Sequence, residues 1–182
     1  MKHLPFFMLA LMLAAFACNQ PASDTGNTAD AATPGAGQSA VQDDVSQKNV
    51  VQIAVGSKDH TTLVAAVKAA QLVDALSNAG PFTVFAPTDE AFSKLPKETL
   101  DNLMKPENKD ALSNILEYHT FVGVIKAEQM RDGQKLNQVN LKNIVLNVKD
   151  GKVMINGKAN ILASVPASNG IVHVIDAVLI PE

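Results

Sequence analysis

Apolar and polar positions divide this chain into two rhythms. From Leu63 to Leu76 the apolar residues Leu63, Ala66, Val67, Ala70, Val73 and Leu76 recur at spacings of three and four. That is the stripe of a helix with one buried face. Val50, Val51, Ile53 and Ala54 predict a shorter apolar helix before it, and Thr61 or Thr62 supplies the N-cap of the longer one. Glu98–Met104 forms another helix with Leu100 and Leu103 inward. Pro106 suits the first turn of one carrying Ala111, Leu112, Ile115 and Leu116. From Thr120 onward the period becomes two. Ile144, Leu146 and Val148 alternate with Val145, Asn147 and Lys149, and Asp150-Gly151, Asn156-Gly157 and Asn169-Gly170 mark tight turns. Residues Ile171–Ile180 are almost all apolar, as in a central strand covered on both faces.

Between the two halves lies Gly80-Pro81-Phe82-Thr83-Val84-Phe85-Ala86-Pro87-Thr88-Asp89-Glu90-Ala91-Phe92. Pro81 cannot prolong a helix, and Phe82–Phe85 is β-branched and aromatic, so a strand follows. Pro87 stops the strand. Thr88 then caps a new helix, with Asp89 and Glu90 at its positive end. A helical first half and a hairpin-rich second half, sharing one sheet, predict an α+β fold. Phe82, Val84, Phe85, Phe92, Ile171, Val172 and Val174 are the expected core.

Three stretches resemble the signatures of the fasciclin domain family, in the family's order. Thr83, Phe85, Ala86, Pro87, Thr88, Asp89 and Phe92 match the first. Tyr118 and His119 match the Tyr-His segment. Asn169, Gly170, His173 and Asp176 match the second signature near the end. The resemblance implies a compact β-wedge with helices packed along one side, over residues 49–182. It also implies a non-catalytic module for adhesion or protein/matrix contact, with a cell-surface or matrix protein or a polysaccharide as partner. Carotenoid-carrying relatives suggest the alternative of an elongated apolar ligand in a groove. In some animal members the Tyr-His segment and an Asp-Ile pair before the second signature are implicated in receptor binding. Here Ser164-Val165 stands at the Asp-Ile position, so the acidic anchor is missing.

Composition adds an address. The chain has 182 residues, enough for one domain with extensions, and a formal net charge of −3, which gives no basic footprint for nucleic acid. Lys2 and the apolar run Leu4–Phe16 read as a signal peptide over residues 1–17, too short to span a bilayer. Ala15-Phe16-Ala17-Cys18 resembles a bacterial lipobox, which would make Cys18 the lipidated N-terminus and the lipid the only membrane contact. Plain cleavage leaving a free Cys18 is the other reading. Asn19 points to the outer membrane of the cell envelope. Residues 18–48 are polar and small, the composition of a disordered tether.

Of the four histidines, His3 leaves with the signal peptide and His60 sits in a polar, solvated loop. His119 and His173 lie in apolar segments without the spacing of a metal site, so both are expected as core residues with hydrogen-bond partners. His119 is expected buried and neutral, near the junction of Thr88 and Asp89. Ser168, His173 and Asp176 have the residue types of a triad, but they crowd one turn and strand, where side chains alternate faces. A hydrolase is therefore the weakest reading, and no cofactor is expected.

Overall fold

The computed structural model describes residues 47–181. The signal-peptide and Cys18 readings, and the tether reading as far as residue 46, lie outside the described residues; Lys48, at the end of the expected tether, accepts the Ser168 N–H at 3.0 Å and so already belongs to the fold. Helix α1 (Val50–Gly56) opens the fold with a capping box in which Asn49 and Gln52 exchange side-chain and backbone hydrogen bonds at 2.8 and 2.9 Å. The long stripe from Leu63 to Leu76 is two helices, α2 (Thr61–Ala69) and α3 (Val73–Ser77). The break is at Gln71, which takes a left-handed φ of 59°. Strand β1 (Phe82–Pro87) leads into α4 (Asp89–Ser93), where Thr88 Oγ1 accepts from the Ala91 N–H as a cap should. Then come α5 (Lys97–Leu103), a 3-10 turn at Pro106–Asn108 and α6 (Lys109–Tyr118).

The second half is strand upon strand: β2 (Thr120–Val122), β3 (Lys135–Asn137), β4 (Asn143–Lys149), β5 (Lys152–Ile155), β6 (Ala159–Ala167) and β7 (Gly170–Ile175). Strand β2 stops at Val122 because Gly123 turns the chain at φ 142°. Strand β7 ends at Ile175 rather than Ile180, and its last residues peel away as a separate segment. Two of the three expected turns hold as read: Asp150 and Gly151 sit at φ 52° and 74°, and Asn156 and Gly157 at 53° and 63°, the paired positive angles of a hairpin turn that follows strand twist. At the third the turn residues are Ser168 and Asn169, and Gly170 already opens β7. Two strands, β3 and β6, had no clear alternating signal. In β6 Leu162, Ala163 and Val165 are apolar yet exposed, so its apolar residues do not alternate with its buried ones.

The sheet order is β2-β1-β7-β6-β5-β4-β3, a seven-stranded near-barrel wedge with the helices alongside. Strands β1 and β7 run parallel in its middle, Phe82 opposite Gly170 and Phe85 opposite His173. Alternation then sorts two cores. Val84, Ala86 and Val172 face the helices and pack with Leu63, Leu112 and Leu116. Phe85 and Ile175 face the other way, onto Ile144, Leu146 and Ile155 of the meander. The expected core is buried or half-buried throughout, with Phe85 wholly enclosed. Among the described residues no helix is long and apolar enough to cross a membrane.

Candidate functional site

Helix α6 ends on the Tyr-His pair, and both rings turn inward. Tyr118 is 4% exposed and His119 is 2%. Neither presents a surface to a partner. The Tyr118 hydroxyl donates to the Asn143 carbonyl at 3.1 Å and accepts from Asn156 Nδ2 at 3.0 Å. His119 Nδ1 lies 2.7 Å from the Ile115 carbonyl, which accepts only, so this nitrogen carries the proton. Its Nε2 is left to accept the Leu179 N–H at 2.9 Å. The partners are thus the helix behind it and the C-terminal segment, not Thr88 or Asp89. Burial lowers the His119 pKa to about 4, with the Ile115 hydrogen bond opposing only part of that.

Asp89 works at longer range than its own helix. Its carboxylate accepts the Thr61 N–H and hydroxyl at 3.2 and 2.7 Å and the Thr62 N–H at 2.8 Å. It therefore caps α2 from outside, in the role expected of Thr61 or Thr62. Burial pushes its carboxyl up, but these hydrogen bonds outweigh that and hold it below the usual value. Thr83 Oγ1 donates to the Gly123 carbonyl at 2.7 Å and accepts the Ile125 N–H at 3.1 Å. Asn169 accepts from the Val50 N–H and donates to the Leu76 and Asn78 carbonyls, tying α1 and α3 to the β6–β7 turn.

His173 is wholly buried and stacks on Phe85 with ring centroids 5.7 Å apart. Its Nε2 donates to the Ile125 carbonyl at 2.8 Å, which leaves Nδ1 to accept the Ser164 hydroxyl at 2.7 Å. Burial lowers its pKa, opposed in part by the Ile125 bond and the charge of Glu128. Ser168 and Asp176 are not its partners. The Asp176 carboxylate takes the Asn160 N–H and side-chain amide at 2.7 and 2.8 Å. Burial raises its pKa, but those bonds and Lys94 bring it down overall. The three triad residue types do not meet. Sequence reasoning missed Ser164, although the pairing of β6 with β7 sets it directly opposite His173. It also placed His60 in solvent, whereas His60 is 6% exposed, with Nδ1 bonded to Ser57 Oγ at 2.8 Å. Among the described residues no group of three His, Cys, Asp or Glu side chains could hold a metal ion.

Among the spaces that border this frame, two bear on ligand binding. Between the helices and β1 lies an apolar cavity of about 60 Å³, lined by Val51, Leu63, Val67, Val84 and Phe85. A cavity of roughly 150 Å³ is what a benzene ring needs, so an elongated apolar molecule does not fit inside it. The other space is an open cleft of about 710 Å³. Its floor is the outward face of β4, where Asn143, Val145 and Asn147 share one side. The Asn156-Gly157-Lys158 turn forms one wall and the Val178–Ile180 segment the other. Each wall is fixed by a residue of the Tyr-His segment. Tyr118 holds Asn156, whose Oδ1 also accepts the Val145 N–H at 2.8 Å, and His119 holds Leu179. The cleft was not foreseen, because no local pattern links positions 118, 156 and 179.

Buried neutral imidazole makes the domain sensitive to acid. A histidine whose folded pKa lies below its unfolded value leaves stability intact above about pH 6.5 and takes it away as pH falls towards 4. With those two values His119 alone removes about 2 kcal/mol between pH 7 and pH 5, and the lowered pKa of His173 adds to the loss. Urea unfolding at the two pH values measures it. Equal midpoints would mean that the imidazoles reach solvent.

The sequence model of the fasciclin domain matches residues 58–181. Protein sll1483 of Synechocystis sp. is 50% identical over 136 residues, covering 75% of each chain. The uncharacterized protein sll1735 of the same organism is 41% identical over 132 residues, 72% of this chain and 97% of that one. Among solved structures, a FAS1 domain pair from the insect cell adhesion molecule Fasciclin I superposes with a TM-score of 0.66 at 21% identity. The match covers 74% of this chain and about half, 51%, of the insect chain. The fold, the signature residues and the sequence matches agree: this chain belongs to the fasciclin domain family.

Proposed function

We propose that this chain is a cell-envelope lipoprotein that acts by contact, as an adhesion or matrix-binding module, and not by catalysis. The observation that carries the reading is how the signature residues are employed. Tyr118, His119, Asn169, His173 and Asp176 each spend their polar atoms on the protein's own backbone and side chains. They build a rigid frame, and a rigid frame with open surface suits recognition. The insect protein of the same fold is a cell adhesion molecule, which supports the same role here. In this reading Cys18 carries the lipid, residues 18–48 are a tether, and the domain from 49 to 182 stands clear of the outer membrane.

Cells producing the full chain should adhere to one another or to a matrix-coated surface more than cells producing a chain that lacks residues 49–182. Equal adhesion, with both chains present at the surface, would refute the contact role. The anchor has its own test. Cys18→Ser should move the protein from the membrane to the soluble fraction or block its processing. An unchanged membrane fraction and unchanged gel mobility would argue for an ordinary signal peptide.

A further inference from the structure

We infer that residues 41–46 of this chain cover the apolar groove between α1 and α2, with the side chains of Val45 and Val41 seated against it. The groove is the apolar cavity beside β1, and it is not closed. Val51, Val64, Val73, Leu76 and Val84 along it are only half-buried, and Val55 at its rim is 55% exposed. Val84 stands on a central strand and faces the helices, yet it keeps contact with solvent. Contiguous accessible apolar surface of this kind marks a place where something binds. Size narrows what that is. The space of about 60 Å³ is less than half of what benzene needs. An isopropyl group has half the carbons of benzene, so one valine side chain fits where an acyl chain or a ring does not.

Position supplies the valine. Val41 and Val45 are the only Val, Leu or Ile residues between Cys18 and Gln47. They are four apart, so they share one side of the chain whether it runs as a strand or as a helix. The described chain begins beside the groove. The Lys48 carbonyl accepts the Ser168 N–H at 3.0 Å, Asn49 caps α1, and Val50 and Val51 already line the cavity. Val45 lies three residues before Lys48, a reach of about 10 Å, and Val41 seven before it, about 25 Å. Helix α1, at 7 residues, is about 10 Å long. Both valines therefore reach the groove, and so short a loop costs little entropy to close.

Charge agrees with this occupant. Among the residues lining the groove are Lys68 and no carboxylate, and Lys68 is in no ion pair among the described residues. Lys48 Nζ lies at the C-terminal end of α1, 3.8 Å from where a Cβ on Gly56 would stand. Asp43 and Asp44 fall between the two valines, and carboxylates there meet these lysines. Charge pairs at a rim set the register of a contact more than its strength. A second copy of the domain fits less well, because a two-fold contact sets one Lys68-bearing groove against another with no acidic partner for either. With residues 41–46 on the groove, the spacer is residues 18–40. The cover is independent of the contact role, so either can fail without the other.

Disulfide trapping in the full chain tests the cover. Cys18 is the one native thiol, so Cys18→Ser removes the background. In that chain Val45→Cys with Val64→Cys should form an intramolecular disulfide under mild oxidation. It should form about tenfold faster or more than the disulfide of Ser46→Cys with Val64→Cys. Ser46 is nearer the fold, so tethering alone favours it, whereas docking turns it away from the groove. Lys68→Glu should slow the Val45 trapping severalfold. Circular dichroism of the reduced chains checks that each is folded. Equal rates for the two pairs would mean that the segment only hangs beside the groove, and would overturn the inference. So would the absence of trapping in folded chains. Disulfide-linked dimers in place of the intramolecular product would make the occupant a second copy's segment, which overturns it as well.

Discussion

Gly170→Ala is expected to leave little or no folded domain. Gly170 opens β7 at φ 157° directly opposite Phe82 of β1. A Cβ there would lie 1.9 Å from the Phe82 carbonyl oxygen and 2.7 Å from its carbon. Both are backbone atoms of the paired strand, so no rotamer change relieves the clash. The two central strands would have to part, and with them the boundary between both cores. A loss of roughly 4 kcal/mol or more belongs to the exceptional class of single substitutions, against a total of about 5–15 kcal/mol for a typical domain. Gly151→Ala makes the control. It has a left-handed φ of 74° but nothing within 4 Å of the new Cβ, so its cost should stay near the roughly 1–2 kcal/mol of the backbone conformation alone. Circular dichroism of the two variants checks the contrast. A cooperative melt of Gly170→Ala close to wild type would mean that β1 and β7 are not paired in this register.

Phe85→Ala is expected to cost about 3–5 kcal/mol, the range for removing a large ring from a packed core. Phe85 has no exposed surface, its ring lies on that of His173, and its N–H donates to the His119 carbonyl at 2.8 Å. The backbone bond survives the substitution. The stacking and the contacts with the meander core do not. His173 would keep its hydrogen bonds to Ser164 and Ile125 but lose the ring that covers one of its faces. Urea unfolding should therefore show a lower midpoint with little change in slope. An unchanged midpoint would place Phe85 outside the core.

What the chain disclosed in advance was whatever short-range chemistry decides. Pro81 and Pro87 bracket a strand, Thr88 caps a helix, and Asp150-Gly151 and Asn156-Gly157 can hardly be anything but tight turns. Their meaning lies within a few residues, so a linear reading finds them. The misses share an opposite cause. Gln71 breaks a helix without being Gly or Pro. Asp89 caps a helix that starts 28 residues earlier. His119 finds Leu179 across 60 residues, and Ser164 reaches His173 only because two strands pair in one register. Each is a side chain satisfied by a distant part of the fold, and hydrophobic period carries no trace of that. Resemblance marked Tyr118 and His119 as noteworthy, but only the structure shows what they do. They hold the walls of a cleft whose lining lies mostly outside the signature stretches.

That frame role is the centre of the account, and a nuclear magnetic resonance titration of the His119 imidazole tests it most directly. Ring nitrogen shifts report both pKa and tautomer. The account predicts a neutral ring with the proton on Nδ1, held by Ile115, with Nε2 accepting from Leu179, and a pKa depressed to about 4. A pKa near the ordinary 6.5, or the proton found on Nε2, would contradict it: His119 would then be a surface group open to partners.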